Sequence, residues 1–424
     1  MNKIEGYDAH CHIFNLSYAL REIKAMFFDK VTGRYPEEIR PAFRTMEEKE
    51  RSVSDFRKKL FRIVELFTST VRTEKSNFTY LHENIKDAWG IESGAIPLMM
   101  DIYYFFAPPV TETTTEIHLV RETDIKAVIQ EEKKIEDDFA GELKGFAENL
   151  KKKNKDKEDF EEFEKDLDRC VGESLEESGY RIEIRSPLYG SLKLTSGYLF
   201  HLERLRKLVM EDAPVFPFLA VDPRRPGISD ALKNENLIGK KGPFYGIKLY
   251  PRLGYHPASK PVQDIFNICI ERDLPVTTHC GMSGFPSKNF SLDGSGVWKY
   301  NDYGNPEHFE PALKKGLRID FAHLGSCDPE FKWARTIVGF MKKYKNVYSD
   351  LSCYTDREEI VKIKNLFGRN STFRKRILYG SDFDVMSFTD DKISLEQYCR
   401  NFSDLFTGEI ENMRYRNVME FLNL

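Results

Sequence analysis

The chain has 424 residues, 41% of them hydrophobic and 13% aromatic, with 64 basic against 68 acidic side chains. That length can bury a full-sized core, and 32 Phe with 20 Tyr exclude disorder as a description of the whole chain. A formal charge of −4 supplies no basic footprint for nucleic acid.

Short apolar, β-rich runs that end in Gly, Asp, His or Pro predict strands. The first is Ile4 to Ile13 and the second Ile96 to Tyr103. Between them Phe56, Leu60, Ile63, Val64 and Phe67 repeat at helical spacing. After the second strand Ile135, Phe139, Leu143, Phe146 and Leu150 do the same, then Phe160, Phe163 and Leu167. The charged bridge Lys151 to Lys157 reads as the turn of an αα-hairpin. Six further strands are predicted at Pro214 to Val221, Phe244 to Tyr250, Pro275 to Thr278, Leu317 to Ala322, Val347 to Leu351 and Arg376 to Tyr379. Amphipathic helices fall between or after them at Val262 to Arg272, Ala334 to Tyr344, Glu358 to Phe367 and Leu395 to Phe406.

Eight strands, several apolar on both faces and alternating with helices, predict an α/β fold of the (β/α)8 TIM-barrel type. Such a barrel needs about 250 residues, which leaves a surplus of roughly 170. The predicted barrel therefore takes 1–14, 94–109 and 206–424, with large helical insertions at 15–93 and 110–205, after strands 1 and 2. Because βα-loops crown the C-terminal face of a barrel, these insertions are expected to form a cap there.

The opening residues Met1 to Tyr7 lack the apolar core of a signal peptide, and no apolar run approaches the ~18 residues that would span a bilayer. Seven cysteines form an odd, scattered set without a CxxC pair, as reduced thiols do. The expectation is a cytoplasmic protein with a small-molecule substrate and neither nucleic-acid nor membrane partners; a homo-oligomer is left open.

Of only nine histidines, four sit at predicted strand ends. His10 and His12 close the first strand in Asp8-Ala9-His10-Cys11-His12, His279 the fifth in Thr278-His279-Cys280-Gly281, and His323 the sixth in Ala322-His323-Leu324-Gly325. The eighth ends in Tyr379-Gly380-Ser381-Asp382. Side chains alternate along a strand, so His10 and His12 share a side while Cys11 points away. Imidazoles converging with a carboxylate make a site for a divalent metal, zinc first among them. An HxH pair alone is weak evidence; the series of His, His and Asp at strand ends in barrel order is not.

These motifs, with Val221-Asp222-Pro223-Arg224-Arg225 and Gly246-Ile247-Lys248-Leu249-Tyr250-Pro251, resemble those of the amidohydrolase superfamily. The likeness is closest to its amidohydrolase-related branch, which includes the aminocarboxymuconate-semialdehyde-decarboxylase-like enzymes. It covers the first dozen residues and roughly 214–424, and leaves both insertions unassigned. The resemblance implies a metal held by His10, His12 and Asp382, with His279. Asp382 would also relay a proton from metal-activated water, and His323 would contact that water, the substrate or a second metal. Bound zinc lowers the pKa of water to about 7 and polarises the carbonyl under attack. Lys248 has two readings: carboxylated, it would bridge two metals; unmodified, it would bind a substrate carboxylate. One or two ions therefore remain open.

Tyr250 and Arg252 are candidate substrate-binding residues, set against a bland reading as exposed loop residues. Asp101, placed late on the second strand, and Asp350, on the seventh, read as supporting or capping groups more than catalytic ones. Asp384 reads as a helix N-terminal residue, and Cys11, Cys280 and Cys327 as packing residues. Met99-Met100 and Tyr103-Tyr104-Phe105-Phe106 read as core or pocket wall. Three functions are carried forward: hydrolysis of an amide, ester or lactone by metal-activated water; non-oxidative decarboxylation on the same barrel; and a non-catalytic binding barrel.

Overall fold

In the computed structural model, which describes residues 3–13, 74–101, 103–104, 186–282, 301–326, 330–383 and 393–424, the eight strands are β1 Gly6–Cys11, β2 Ser93–Pro97, β3 Phe218–Val221, β4 Gly246–Leu249, β5 Val276–Thr278, β6 Ile319–Phe321, β7 Val347–Asp350 and β8 Ile377–Leu378. All pair in parallel, β1 with β2 and β3 through β8 in sequence order. Backbone hydrogen bonds join the two sheets on both sides. Phe216 N–H donates to Ala95 O at 2.9 Å and Met99 N–H to Phe218 O at 3.1 Å, linking β2 to β3. Ala9 N–H donates to Tyr379 O at 2.9 Å and Asp382 N–H to His10 O at 2.7 Å, linking β1 to β8. The fold is a TIM barrel.

Every strand residue is buried, as parallel strands must be when side chains fill the inside and helices cover the outside. Crossover helices run α1 Glu74–Trp89, α2 Ser196–Met210, α3 Ile228–Lys233, α4 Lys260–Glu271, α5 Glu310–Lys314, α6 Lys332–Lys343, α7 Arg357–Phe367, α8 Ser371–Arg376 and α9 Leu395–Leu405. Their apolar stripes face the barrel: α4 buries Val262, Ile265, Phe266 and Cys269, and α6 buries Ile337, Val338 and Met341. A last helix, α10 Asn417–Leu422, turns Val418, Phe421 and Leu422 onto a cluster with Tyr7, Phe218 and Tyr348. These three lie at the N-terminal ends of their strands, so α10 closes the end of the barrel opposite the histidines.

Two expectations shift. The second strand lies at Ser93–Pro97 rather than Ile96 to Tyr103, so Asp101 follows the strand instead of ending it. The physical reason is Gly94: a Cβ there would stand 2.3 Å from Pro214 O and 2.4 Å from the Tyr7 ring. Only glycine lets neighbouring backbone come so close, and a Ser-Gly-Ala run looks like a turn on propensity alone. Two segments near the ends of the expected insertions also pack on the barrel. Residues 74–89, expected inside the 15–93 insertion, form α1, which packs on β2, α2 and α9 as a crossover helix. Residues 196–205, expected inside 110–205, belong to α2, where the Tyr198 hydroxyl donates to Ala220 O of β3 at 2.6 Å. The helical segments expected around 56–67 and 135–167 lie outside the described residues. Among the described residues, no helix is long and apolar enough to cross a membrane.

Candidate metal centre

Strand β1 delivers two imidazoles to the C-terminal mouth of the barrel. Its side chains alternate, and Cys11 turns outward toward Ile96 O. His10 and His12 Nε2 lie 3.3 Å apart. Asp382 Oδ1, just beyond β8, stands 3.4 Å from His10 Nε2 and 3.2 Å from His12 Nε2. Around an ion with metal–ligand bonds of about 2.0–2.1 Å, ligand atoms at tetrahedral corners are ~3.3–3.4 Å apart. The three atoms thus form one face of a tetrahedron of the size zinc requires. The donor set fits the group that the sequence implied. His323 enlarges the cluster: it, His10 and Asp382 each offer a ligand atom within 4.8 Å of the others.

Both β1 rings are held from behind. His12 Nδ1 lies 2.8 Å from Leu98 O, and a carbonyl oxygen only accepts, so Nδ1 carries the proton and Nε2 presents its lone pair. His10 Nδ1 lies 2.8 Å from Asp350 Oδ2, which holds that ring by a carboxylate. Asp382 adopts a left-handed backbone at φ 60°, held by its N–H on His10 O. His323 does so at φ 61°, with its N–H donating to Asp350 Oδ1 at 2.9 Å. Strained backbone of this kind gathers where side chains must be aimed.

The remaining predicted residues separate into two groups. Lys248, on β4 and buried, brings Nζ to 3.3 Å from His10 Nε2, within the centre itself. His279 joins through His323, with His323 Nε2 at 3.2 Å from His279 Nδ1, and Tyr250 stacks on the His279 ring at 4.3 Å. Arg252 is buried in the 3₁₀ turn Pro251–Leu253, so neither it nor Tyr250 is an exposed loop residue. Cys11 and Cys280 are buried packing residues, as expected, and Met99 and Met100 belong to the core. Asp384, Cys327, Phe105 and Phe106 lie outside the described residues.

Charge is distributed to favour a cation. Burial raises the Asp382 pKa, but hydrogen bonds from His10 and His12 and charge from His10 and His323 outweigh it and keep the carboxylate well below its usual range. Asp350 is likewise ionised: burial opposes it, and the charge and hydrogen bond of His10 win. Burial and Lys248 press the His10 pKa down, yet Asp350 and Asp382 lift it to about 9. A proton on His10 therefore competes with a cation for this position. Burial takes His12 and His323 each down to about 4, so both are neutral at pH 7. It takes Lys248 to about 8 and raises Asp8 to about 7.

Three further supports emerge, and of their residues the sequence marks only Asp101 as a supporting group. Ser352, after β7, places Oγ 2.8 Å from His323 Nδ1 and 3.2 Å from His10 Nδ1. Asp8 accepts the N–H groups of His10 and Ser381 at 3.0 and 3.1 Å, pinning the two ligand-bearing turns together. Around the end of β3, Arg225 grips Asp101 through two bonds of 2.7 Å, while Arg224 grips Asp222 at 2.7 and 2.5 Å. Asp101 is thus a brace between the ends of β2 and β3. An Asp-Pro-Arg-Arg run was the only available signal for this, and it gives no partner across the barrel.

Among curated proteins, none matches the chain. Solved structures similar to the chain at low identity include three from different bacteria. An uncharacterised TIM-barrel protein from Bordetella bronchiseptica is 15% identical, over 52% of this chain and 72% of that one, with a TM-score of 0.37. A probable 2-pyrone-4,6-dicarboxylic acid hydrolase from Acinetobacter baumannii is 14% identical, over 52% and 77%, with a TM-score of 0.37. A 2,6-dihydroxybenzoate decarboxylase from Rhizobium is 12% identical, over 53% and 76%, also at 0.37. The model of the amidohydrolase family matches residues 7–392, from the start of β1 past Asp382. The chain belongs to the amidohydrolase family.

Proposed function

We propose that the protein is a metal-dependent hydrolase that uses activated water to cleave an amide, ester or lactone of a small molecule. The observation that carries this reading is the triangle of His10 Nε2, His12 Nε2 and Asp382 Oδ1, with edges of 3.3, 3.4 and 3.2 Å. In this reading His10, His12 and Asp382 hold the ion, zinc first, with His279 completing the set; a second ion requires carboxylation of Lys248. A bound divalent cation supplies two things, a water of lowered pKa and polarisation of the bond under attack.

The chain's own groups do the rest. Asp382 stays ionised and lies on the His10 and His12 nitrogens, so its carboxylate can accept the proton released when water attacks. His323, neutral and beside His279, presents an acceptor nitrogen that can take a hydrogen bond from the attacking water or from a substrate N–H or O–H. Unmodified Lys248 offers an ammonium to a substrate carboxylate, while Tyr250 and Arg252 line the route from β4. This reading gives substrate choice to the insertions at 15–93 and 110–205, most of which lie outside the described residues.

Turnover in a screen of lactones, N-acyl amino acids and aromatic carboxylates tests the proposal, with Asp382→Asn as the control. Loss of turnover with an unchanged fold supports it, and retained turnover contradicts the role of Asp382. A second reading, non-oxidative decarboxylation, is favoured by one feature, the buried Lys248 amine beside the metal ligands. Release of CO₂ without consumption of water would establish it instead.

A further inference from the structure

Among the described residues, Ser352 is the hydroxyl that touches both working histidines. It faces three groups: Asp350 Oδ1, His323 Nδ1 at 2.8 Å and His10 Nδ1 at 3.2 Å. Asp350 is surrounded by donors. Its Oδ1 takes the N–H of His323 and of Ser352, both at 2.9 Å, and the Ser352 hydroxyl; its Oδ2 takes His10 Nδ1 at 2.8 Å. A carboxylate so placed only accepts.

Counting protons then fixes the rest. A hydroxyl has a single proton, and that of Ser352 goes to Asp350 Oδ1. Ser352 Oγ must therefore accept from His323, whose Nδ1 carries its proton. An independent contact requires the same: the Ser352 carbonyl oxygen, which cannot donate, lies 3.4 Å from that Nδ1. His323 Nε2 is left with its lone pair, 3.2 Å from His279 Nδ1.

We infer that Ser352 is a positioning residue that, through Asp350, fixes His323 as its Nδ1–H tautomer and so leaves the His323 Nε2 lone pair directed away from Ser352, toward His279. The chain runs from His323 through Ser352 to Asp350, and the same carboxylate orients His10. One buried acid thereby sets the proton positions of two histidines drawn from two strands. The inference rests on reading His323 as a working group of the proposed site. The tautomer is measured on the metal-free protein, so its failure is distinct from an absence of metal or of turnover.

Imidazole ¹⁵N NMR of the metal-free protein decides the matter. The expected His323 signals are a protonated Nδ1 and a bare Nε2. In Ser352→Ala the Nε2–H form becomes populated, while the zinc content of the reloaded protein matches wild type. Ser352→Thr keeps a hydroxyl and restores the wild-type pattern. A wild-type His323 that carries its proton on Nε2 overturns the inference without any variant. An unchanged tautomer in Ser352→Ala, accompanied by lost zinc, also overturns it by making Ser352 a support for His10 alone.

Discussion

His10 Nδ1 lies 2.8 Å from Asp350 Oδ2, joining β1 to β7 between residues 340 apart in sequence. The carboxylate holds the ring so that Nε2 faces His12 and Asp382, and it also receives the His323 amide. Replacing it with the isosteric asparagine side chain would offer an amide N–H where an acceptor is needed. Outer supports of metal-binding histidines are typically worth 10–100-fold in metal affinity or activity. Asp350→Asn is expected to weaken zinc binding by about that factor, measured by competition with a chromophoric chelator.

Asp382→Asn removes the carboxylate while keeping its shape. The expected result is a fall in turnover of about 10²–10⁴-fold, the usual scale of a lost general base, together with weaker metal binding. Circular dichroism should match wild type. Steady-state kinetics on the substrate found by screening provides the measurement.

The Asp101–Arg225 pair is buried on both sides, and Arg225 also lies over the Tyr198 ring at 4.1 Å. Removing one partner strands the other charge, at a cost of about 3–5 kcal/mol. Asp101→Ala is therefore expected to destabilise the fold by that order in urea titration, while Lys75→Ala, from an exposed pair with Glu211, changes stability by no more than about 1 kcal/mol.

Gly94→Ala puts a methyl group against backbone, with 2.3 Å to Pro214 O. Backbone cannot swing aside as a flexible side chain can, so the β2–β3 junction must open. The expected loss is about 1–3 kcal/mol or more in thermal or urea unfolding, the scale of overpacking in a tight core.

How much of this was legible in the sequence depends on the range of the interaction. His10, His12, His279, His323 and Asp382 were readable because strand ends in a parallel barrel converge, so a residue's place at the end of an apolar run already states its place in space. The helices at 260–271, 332–343, 357–367 and 395–405 were readable from the period of their buried stripes. Ser352 and Asp8 were not, because a single serine or aspartate at a turn carries no periodicity. Their partners come from other strands. The start of β2 was misplaced because Gly94 is chosen by what it packs against, which lies more than a hundred residues away at Pro214. Helix α1 was absorbed into the first insertion because its mixed charges resemble a solvated helix; the stripe Asn77, Leu81 and Ile85 that meets the barrel is narrow.

The central claim, that His10, His12 and Asp382 form a metal centre, is tested most directly by elemental analysis of the purified protein beside a His10→Ala, His12→Ala double variant. Stoichiometric divalent metal, zinc foremost, is expected in the wild type, and its loss from a double variant that keeps its circular dichroism. A wild-type protein that takes up no divalent metal even after equilibration with zinc, or a double variant that retains the full complement, would contradict it.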